Sequence, residues 1–167
     1  GNFELVFATN ADSPYKTLAD LIKAARAQPG KLNIGTIAVG STQHLGAELF
    51  RSMAGIKIEF ITYKGAPQIM TALISGEIQF YLIGSAGTVV PQVKAGRIRA
   101  LGVGAKQRIA VLPDVPSISE TLPGYEARVV DADGRDCPDG QPGTLWVKGE
   151  SAAILYWQAH EQSKQVL

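Results

Sequence analysis

The chain has 167 residues, 46% hydrophobic and 19% charged, with Lys+Arg 16 against Asp+Glu 15 and a formal net charge of +1. That length can bury one ordinary core, and interspersed charges, 7% aromatic residues and the lack of any Lys/Arg cluster exclude nucleic acid as a partner. The lone cysteine, Cys137, has no second cysteine to pair with, and no apolar stretch reaches the length of a membrane span.

The elements alternate strand and helix. Residues 3–9 are a short apolar run that leaves into turn residues 10–14. Thr17 and Asp20 stand at capping-box spacing, and Leu18, Leu21, Ile22 and Ala25 recur at helical spacing until Pro29-Gly30. A short strand over 32–35 and a loop over 36–40 follow. Ser41 or Thr42 then caps a helix whose apolar face is Leu45, Leu49, Phe50 and Met53 and which ends at Gly55. The alternation repeats as a strand over 56–62, a turn at Tyr63-Lys64-Gly65, a helix over 67–74, a strand over 77–83, a helix over 85–94 and a strand over 99–103. Together these predict an α/β fold with a mostly parallel five-stranded sheet and helices on both faces. Beyond residue 125 the composition changes. Residues 128–133 and 144–147 read as the arms of a β-hairpin around a Gly/Pro/Asp-rich turn, and 151–167 as a short terminal helix. The expected division is a lobe over 1–126 and an appendage over 127–167.

In open α/β sheets, ligands bind beyond the carboxyl ends of the strands. Three loops are expected at that edge. The segment 35–45 runs from a strand into a helix start, where free amides and the positive end of the helix dipole favour an anion. Thr36, Gly40, Ser41 and Thr42 offer hydroxyls and close backbone approach to a carboxylate. His44, in the first helical turn, reads either as a ligand contact or as a histidine bonded to local backbone. Tyr63, Lys64 and Gly65 offer a phenol, an ammonium and an open backbone, and Gly84-Ser85 repeats the theme of small residues before a helix. Each loop also reads as a plain capped helix start or solvated turn.

Catalysis lacks its parts. There is no G-x-S-x-G elbow, no P-loop and no complete dinucleotide fingerprint, and neither His44 nor His160 stands at metal-ligand spacing from carboxylates or from Cys137. A non-enzymatic binding protein without cofactor or metal is the expectation.

The ordered segments Ser13-Pro14-Tyr15-Lys16-Thr17, Pro29-Gly30-Lys31-Leu32, Gly40-Ser41-Thr42-Gln43-His44-Leu45, Tyr63-Lys64-Gly65, Lys94-Ala95-Gly96-Arg97-Ile98-Arg99 and Leu112-Pro113-Asp114-Val115-Pro116 resemble Bug-type substrate-binding proteins of tripartite tricarboxylate transporters over residues 5–127. The resemblance implies the second lobe of a two-lobed, periplasmic-binding-protein-like receptor. Such a receptor captures a small organic carboxylate in the periplasm and passes it to a membrane transporter. Ala38 and Val39 stand where the family carries more glycine, and Ile83-Gly84 where it often carries Asp-Asn. The segments Val130-Asp131-Ala132-Asp133-Gly134-Arg135 and Pro142-Gly143-Thr144-Leu145-Trp146-Val147-Lys148-Gly149 resemble a fragment of adenylate-forming aryl- or acyl-CoA ligases, which suggests a fusion. The first lobe and a signal peptide are not in the sequence, so a single lobe, closed by a homodimer partner and located either in the periplasm or in the cytoplasm, is expected. The alternatives are a ligase-related fusion protein and a remnant fold without ligand.

Overall fold

In a computed structural model of the chain, residues 5–135 and 144–148 are described. Phe3, Cys137, His160 and the helix expected over 151–167 lie outside the described residues. Nine elements build the lobe: β1 (Val6–Asn10), α1 (Leu18–Ala27), β2 (Asn33–Thr36), α2 (Thr42–Ala54), β3 (Glu59–Thr62), α3 (Ala66–Ser75), β4 (Phe80–Ile83), α4 (Ala86–Lys94) and β5 (Ile98–Val103). Local chemistry sets the helix ends. Thr17 and Asp20 close the expected capping box on α1, and Ser41 accepts the His44 N–H at the start of α2. α2 and α3 both end on a left-handed glycine, Gly55 at φ +61° and Gly76 at φ +80°.

Two strands are shorter than their apolar runs. β4 begins at Phe80 rather than 77, because the Glu77 and Ile78 amides still bond to Ala72 O at the end of α3. β3 begins at Glu59 rather than 56, since Ile56 N–H closes the end of α2 onto Arg51 O.

The sheet order is β3-β2-β4-β1-β5, with β2 parallel to both β3 and β4. β1 alone runs against its neighbours, antiparallel to β4 and to β5. Apolar runs buried on both faces carry no record of direction, so that reversal is invisible to periodicity. Side chains alternate across the sheet. Phe7, Phe80 and Leu82 face α1 and α2, where Phe7 and Phe50 stack at 4.6 Å. Val6, Ala8, Tyr81 and Ile83 face α3 and α4. Gly35 lets α3 lie directly on β2, since a Cβ there would meet Ile69 Cγ2 at 2.3 Å.

After β5 the chain returns through a 3-10 turn, Ile118–Glu120, whose own capping box joins Ser117 and Glu120. The fully buried Tyr125 donates its hydroxyl to Gly46 O at 3.0 Å, tying the return segment to α2. The expected hairpin is present as β6 (Glu126–Val130) against β7 (Thr144–Lys148), antiparallel. It is stitched to the lobe through Ala127 N–H, which donates to Gly104 O at 3.2 Å.

Candidate functional site

Because β2, β3 and β4 are adjacent and parallel, their carboxyl ends share one edge of the sheet. The three loops picked out in the sequence therefore lie side by side. A cavity of about 420 Å³ opens there. Its mouth is formed by Gly84 and Ser85 at the end of β4 and by Ala66 and Pro67 at the start of α3, with Gln43 reaching in from α2. It is also lined by Ile83, Tyr81 and Met70, and along α4 by the exposed Thr88 and the half-buried Gln92. None of these side chains is charged.

Of the candidate residues, Gly84 and Ser85 line this cavity and the others do not. Ser85 is the N-cap residue of α4 without a side-chain capping bond, so its hydroxyl is not spent on the helix. Gly65 likewise starts α3 with no side-chain cap. On α3 only Ala66 keeps an uncommitted first-turn amide, since Pro67 has no N–H and the Gln68 N–H donates to Gly65 O; with the Ala86 and Gly87 amides of α4 it borders the same opening, which suits an anion.

The remaining candidates hold other positions. Thr36 is buried and donates to Ala38 O at 3.4 Å, and Gly40 turns the exposed loop at φ +83°. Ser41 is occupied as the cap of α2, and Thr42 is the first residue of that helix. His44 is turned against the Phe60 ring at 4.6 Å, with Glu48 at 3.9 Å. Burial is the largest effect on its imidazole and lowers its pKa, opposed by Glu48 and assisted by Arg51. Tyr63 gives its hydroxyl to Glu77 Oε1 at 2.8 Å, and burial together with that carboxylate raises the phenol's pKa. Lys64 is exposed, and its backbone N–H donates to Gln68 Oε1 at 3.1 Å.

Sequence reasoning passed over Tyr81 and Gln92. A signal was there. Ser85, Thr88 and Gln92 fall at i, i+3 and i+7 of one helix, a polar stripe among the valines of α4, and Tyr81 is the one hydroxyl in an otherwise hydrocarbon strand. Tyr81 is 1% exposed, burial raises its pKa, and its hydroxyl has no hydrogen-bond partner among the described residues. Gln92 Oε1 is buried and also without a partner. Among the described residues no group of His, Cys, Asp and Glu is placed to hold a metal, and no helix is long and apolar enough to cross a membrane.

Against known proteins, residues 2–152 match the family model for the tripartite tricarboxylate transporter family receptor, TctC. The match runs on past Ala127, where the sequence reading ended it, and takes in the hairpin. A Pseudomonas sp. UPF0065 protein is 34% identical over 142 residues, covering 84% of this chain and 41% of its own length. A Bordetella pertussis UPF0065 protein is 33% identical over 115 residues, 69% of this chain and 35% of its own. The chain thus spans less than half the length of these relatives. Among solved structures, a Rhodopseudomonas palustris protein with adipate matches at 30% identity and a TM-score of 0.71, over 92% of this chain and 48% of that one. A second protein from that organism, MatC with bound malate, shares the fold at 19% identity and a TM-score of 0.66, over 73% of this chain and 41% of that one. A shorter match, 39% identical over 51 residues, covers 30% of this chain and 9% of an Escherichia coli long-chain-fatty-acid–CoA ligase. On the extent of the family match, the chain belongs to the tripartite tricarboxylate transporter family receptors, a family of binding proteins and not of enzymes.

Proposed function

We propose that residues 1–126 form the second lobe of a solute receptor and bind a small organic carboxylate, without chemistry, for delivery to a membrane transporter. One observation carries this reading: the cavity at the carboxyl end of β4 is bounded by the starts of α3 and α4, neither of which has a side-chain cap on its first-turn amides. The carboxylate would meet those amides and the free Ser85 hydroxyl at the mouth, with Gly84 allowing close approach. Support also comes from the relative solved with adipate. Ser41, Thr42, His44, Tyr63 and Lys64 take secondary places, since their polar groups are committed elsewhere or stand outside the cavity. The setting is proposed as the periplasm. The cavity is open to solvent on one side, and a second copy of the chain is the proposed cover.

The test is a thermal-shift screen of the purified chain against citrate, malate, adipate, glutamate, nicotinate and benzoate, with Ser85→Ala as control. A rise in melting temperature with one acid, reduced in Ser85→Ala, is expected. A flat response to every acid at millimolar concentration overturns the reading in favour of a remnant fold.

A second reading concerns residues 127–167, which we propose descend from an adenylate-forming ligase, as the short Escherichia coli match suggests. The family model's extent to residue 152 weighs against it. Pyrophosphate release from ATP with a benzoate-type acid is expected to be nil, and its appearance would return the tail to an enzymatic role.

A further inference from the structure

Of the two edges of the main sheet, the described chain covers one. Along β5 the returning segment supplies a neighbour, since Val103 donates its N–H to Pro116 O at 2.9 Å and bridges to Ser117. β3 is the other edge strand and has only β2 beside it. Its residues pair with 33–36 without a register shift, and Glu59, Ile61 and Thr62 are exposed.

The ladder fixes which backbone groups face outward. Glu59 N–H donates to Leu32 O and Tyr63 N–H to Thr36 O, so residues 59, 61 and 63 turn their backbone toward β2. Phe60 and Thr62 turn theirs away from the sheet, and no described residue bonds to those outward groups. Edge strands are ordinarily blunted by proline, a bulge or a lysine, and β3 has none of these. Its safeguards are its shortness and Glu59 at its start. At its centre stands Ile61, 38% exposed and one of the few large apolar side chains in solvent among the described residues.

These features are self-complementary. A two-fold axis perpendicular to the sheet keeps like faces together, so residues that stand opposite one another across the axis must point to the same face. One register then uses every outward group: Phe60 faces Thr62 of a second copy, Thr62 faces its Phe60, and each pair exchanges both N–H···O bonds. The same register puts Ile61 on the axis against its own copy. That pair is of the non-hydrogen-bonded kind, in which Cα atoms approach to about 4.5 Å and side chains touch. Glu59 falls opposite Tyr63, so no like charges meet within the paired strands.

We infer that the β3 edge is a homodimerisation surface, on which two copies join their sheets antiparallel with Ile61 at the axis. Because the paired strands run in opposite directions, the two cavities open at opposite ends of the joined sheet. The contact is therefore separate from the copy proposed to cover the cavity, and it does not depend on the carboxylate reading.

Sedimentation velocity of the whole chain from about 10 µM to about 1 mM tests it, with dimer expected in the upper part of that range because the interface is small. Ile61→Lys sets like charges against each other on the axis and should weaken association about tenfold or more, while the dilute protein keeps its melting temperature. Geometry is read separately by cysteine pairing in a Cys137→Ser background. Oxidised glutathione should link Ile61→Cys into a disulfide dimer, whereas Glu59→Cys, about 13 Å along the strand from its own copy, should stay monomeric. A parent chain that remains monomeric throughout the range, a dimer unaffected by Ile61→Lys, or linkage of Glu59→Cys as fast as Ile61→Cys each overturns the inference.

Discussion

Gly35→Ala tests how closely α3 is held to the sheet, and therefore how its first turn comes to face the cavity. The new methyl would sit 2.3 Å from Ile69 Cγ2 and 2.8 Å from Ile78 Cδ1, and both isoleucines are fully buried with no room to retreat. Overpacking of this kind costs about 1–3 kcal/mol. Gly35 has no left-handed backbone, so the substitution also restricts the unfolded chain and returns about 0.4–1 kcal/mol. The net expectation is a loss of up to about 2.6 kcal/mol, or a fall in melting temperature of up to about 10 °C for a chain of this size. Urea unfolding followed by circular dichroism measures it. The cause is isolated by adding Ile69→Ala, which alone should cost about 2–5 kcal/mol for the cavity it leaves. The pair should cost less than the sum of the singles by at least about 0.5 kcal/mol, because each relieves the other's misfit. A Gly35→Ala protein more stable than the parent, or strict additivity in the pair, would show that α3 does not rest on β2 through these atoms.

Two serines at equivalent helix starts should behave oppositely. Ser41→Ala removes a working cap and should cost about 1 kcal/mol in urea unfolding, whereas Ser85→Ala should stay within about 0.5 kcal/mol while reducing the carboxylate response. Arg108 and the Ser117 N–H hold the Glu120 carboxyl down at about 2 from its usual 4.5. The unfolded chain therefore takes up this proton first, so the contribution is present above about pH 4.5 and is lost as pH falls toward 2. Melting temperature should drop over that window, and less steeply in Glu120→Gln. The His44 ring should titrate below 6.5 in a proton NMR series, since burial disfavours its charged form, and Phe60→Ala should move the midpoint back upward.

Much of this fold is legible in the sequence because its boundaries are local events. The Thr17/Asp20 box, the glycine stop at Gly55 and the hydroxyl at Ser41 act within a few residues, and each is where periodicity and capping chemistry place it. Strand direction is not local, and the antiparallel course of β1 depends on partners that no pattern inside residues 6–10 can announce. The site divides in the same way. Gly84 and Ser85 are readable as a small-residue helix start, and both line the cavity. Tyr81 and Gln92 sit inside an apolar strand and the middle of a helix, where a polar atom matters only once packing decides that it has no partner. The commitments of Tyr63 to Glu77 and of His44 to Phe60 likewise come from elements folding over one another, which loop composition does not record.

The reversed strand also sets the order in which the lobe can be assembled as it is synthesised. Residues of β1 leave the ribosome before the other strands of the lobe, but Thr9 needs Phe80 and Val6 needs Val103, about 70 and about 100 residues later. At translation rates of about 5–20 residues per second, β1 waits for about 5–20 s as an unpaired apolar segment. During that interval β2, α2 and β3 can already associate through nearby parallel pairing, leaving β4, β1 and the β5 edge to be added afterwards. The nascent chain is then a natural client for a holding chaperone, and any change that delays β5 lengthens the exposure of residues more than ninety positions upstream.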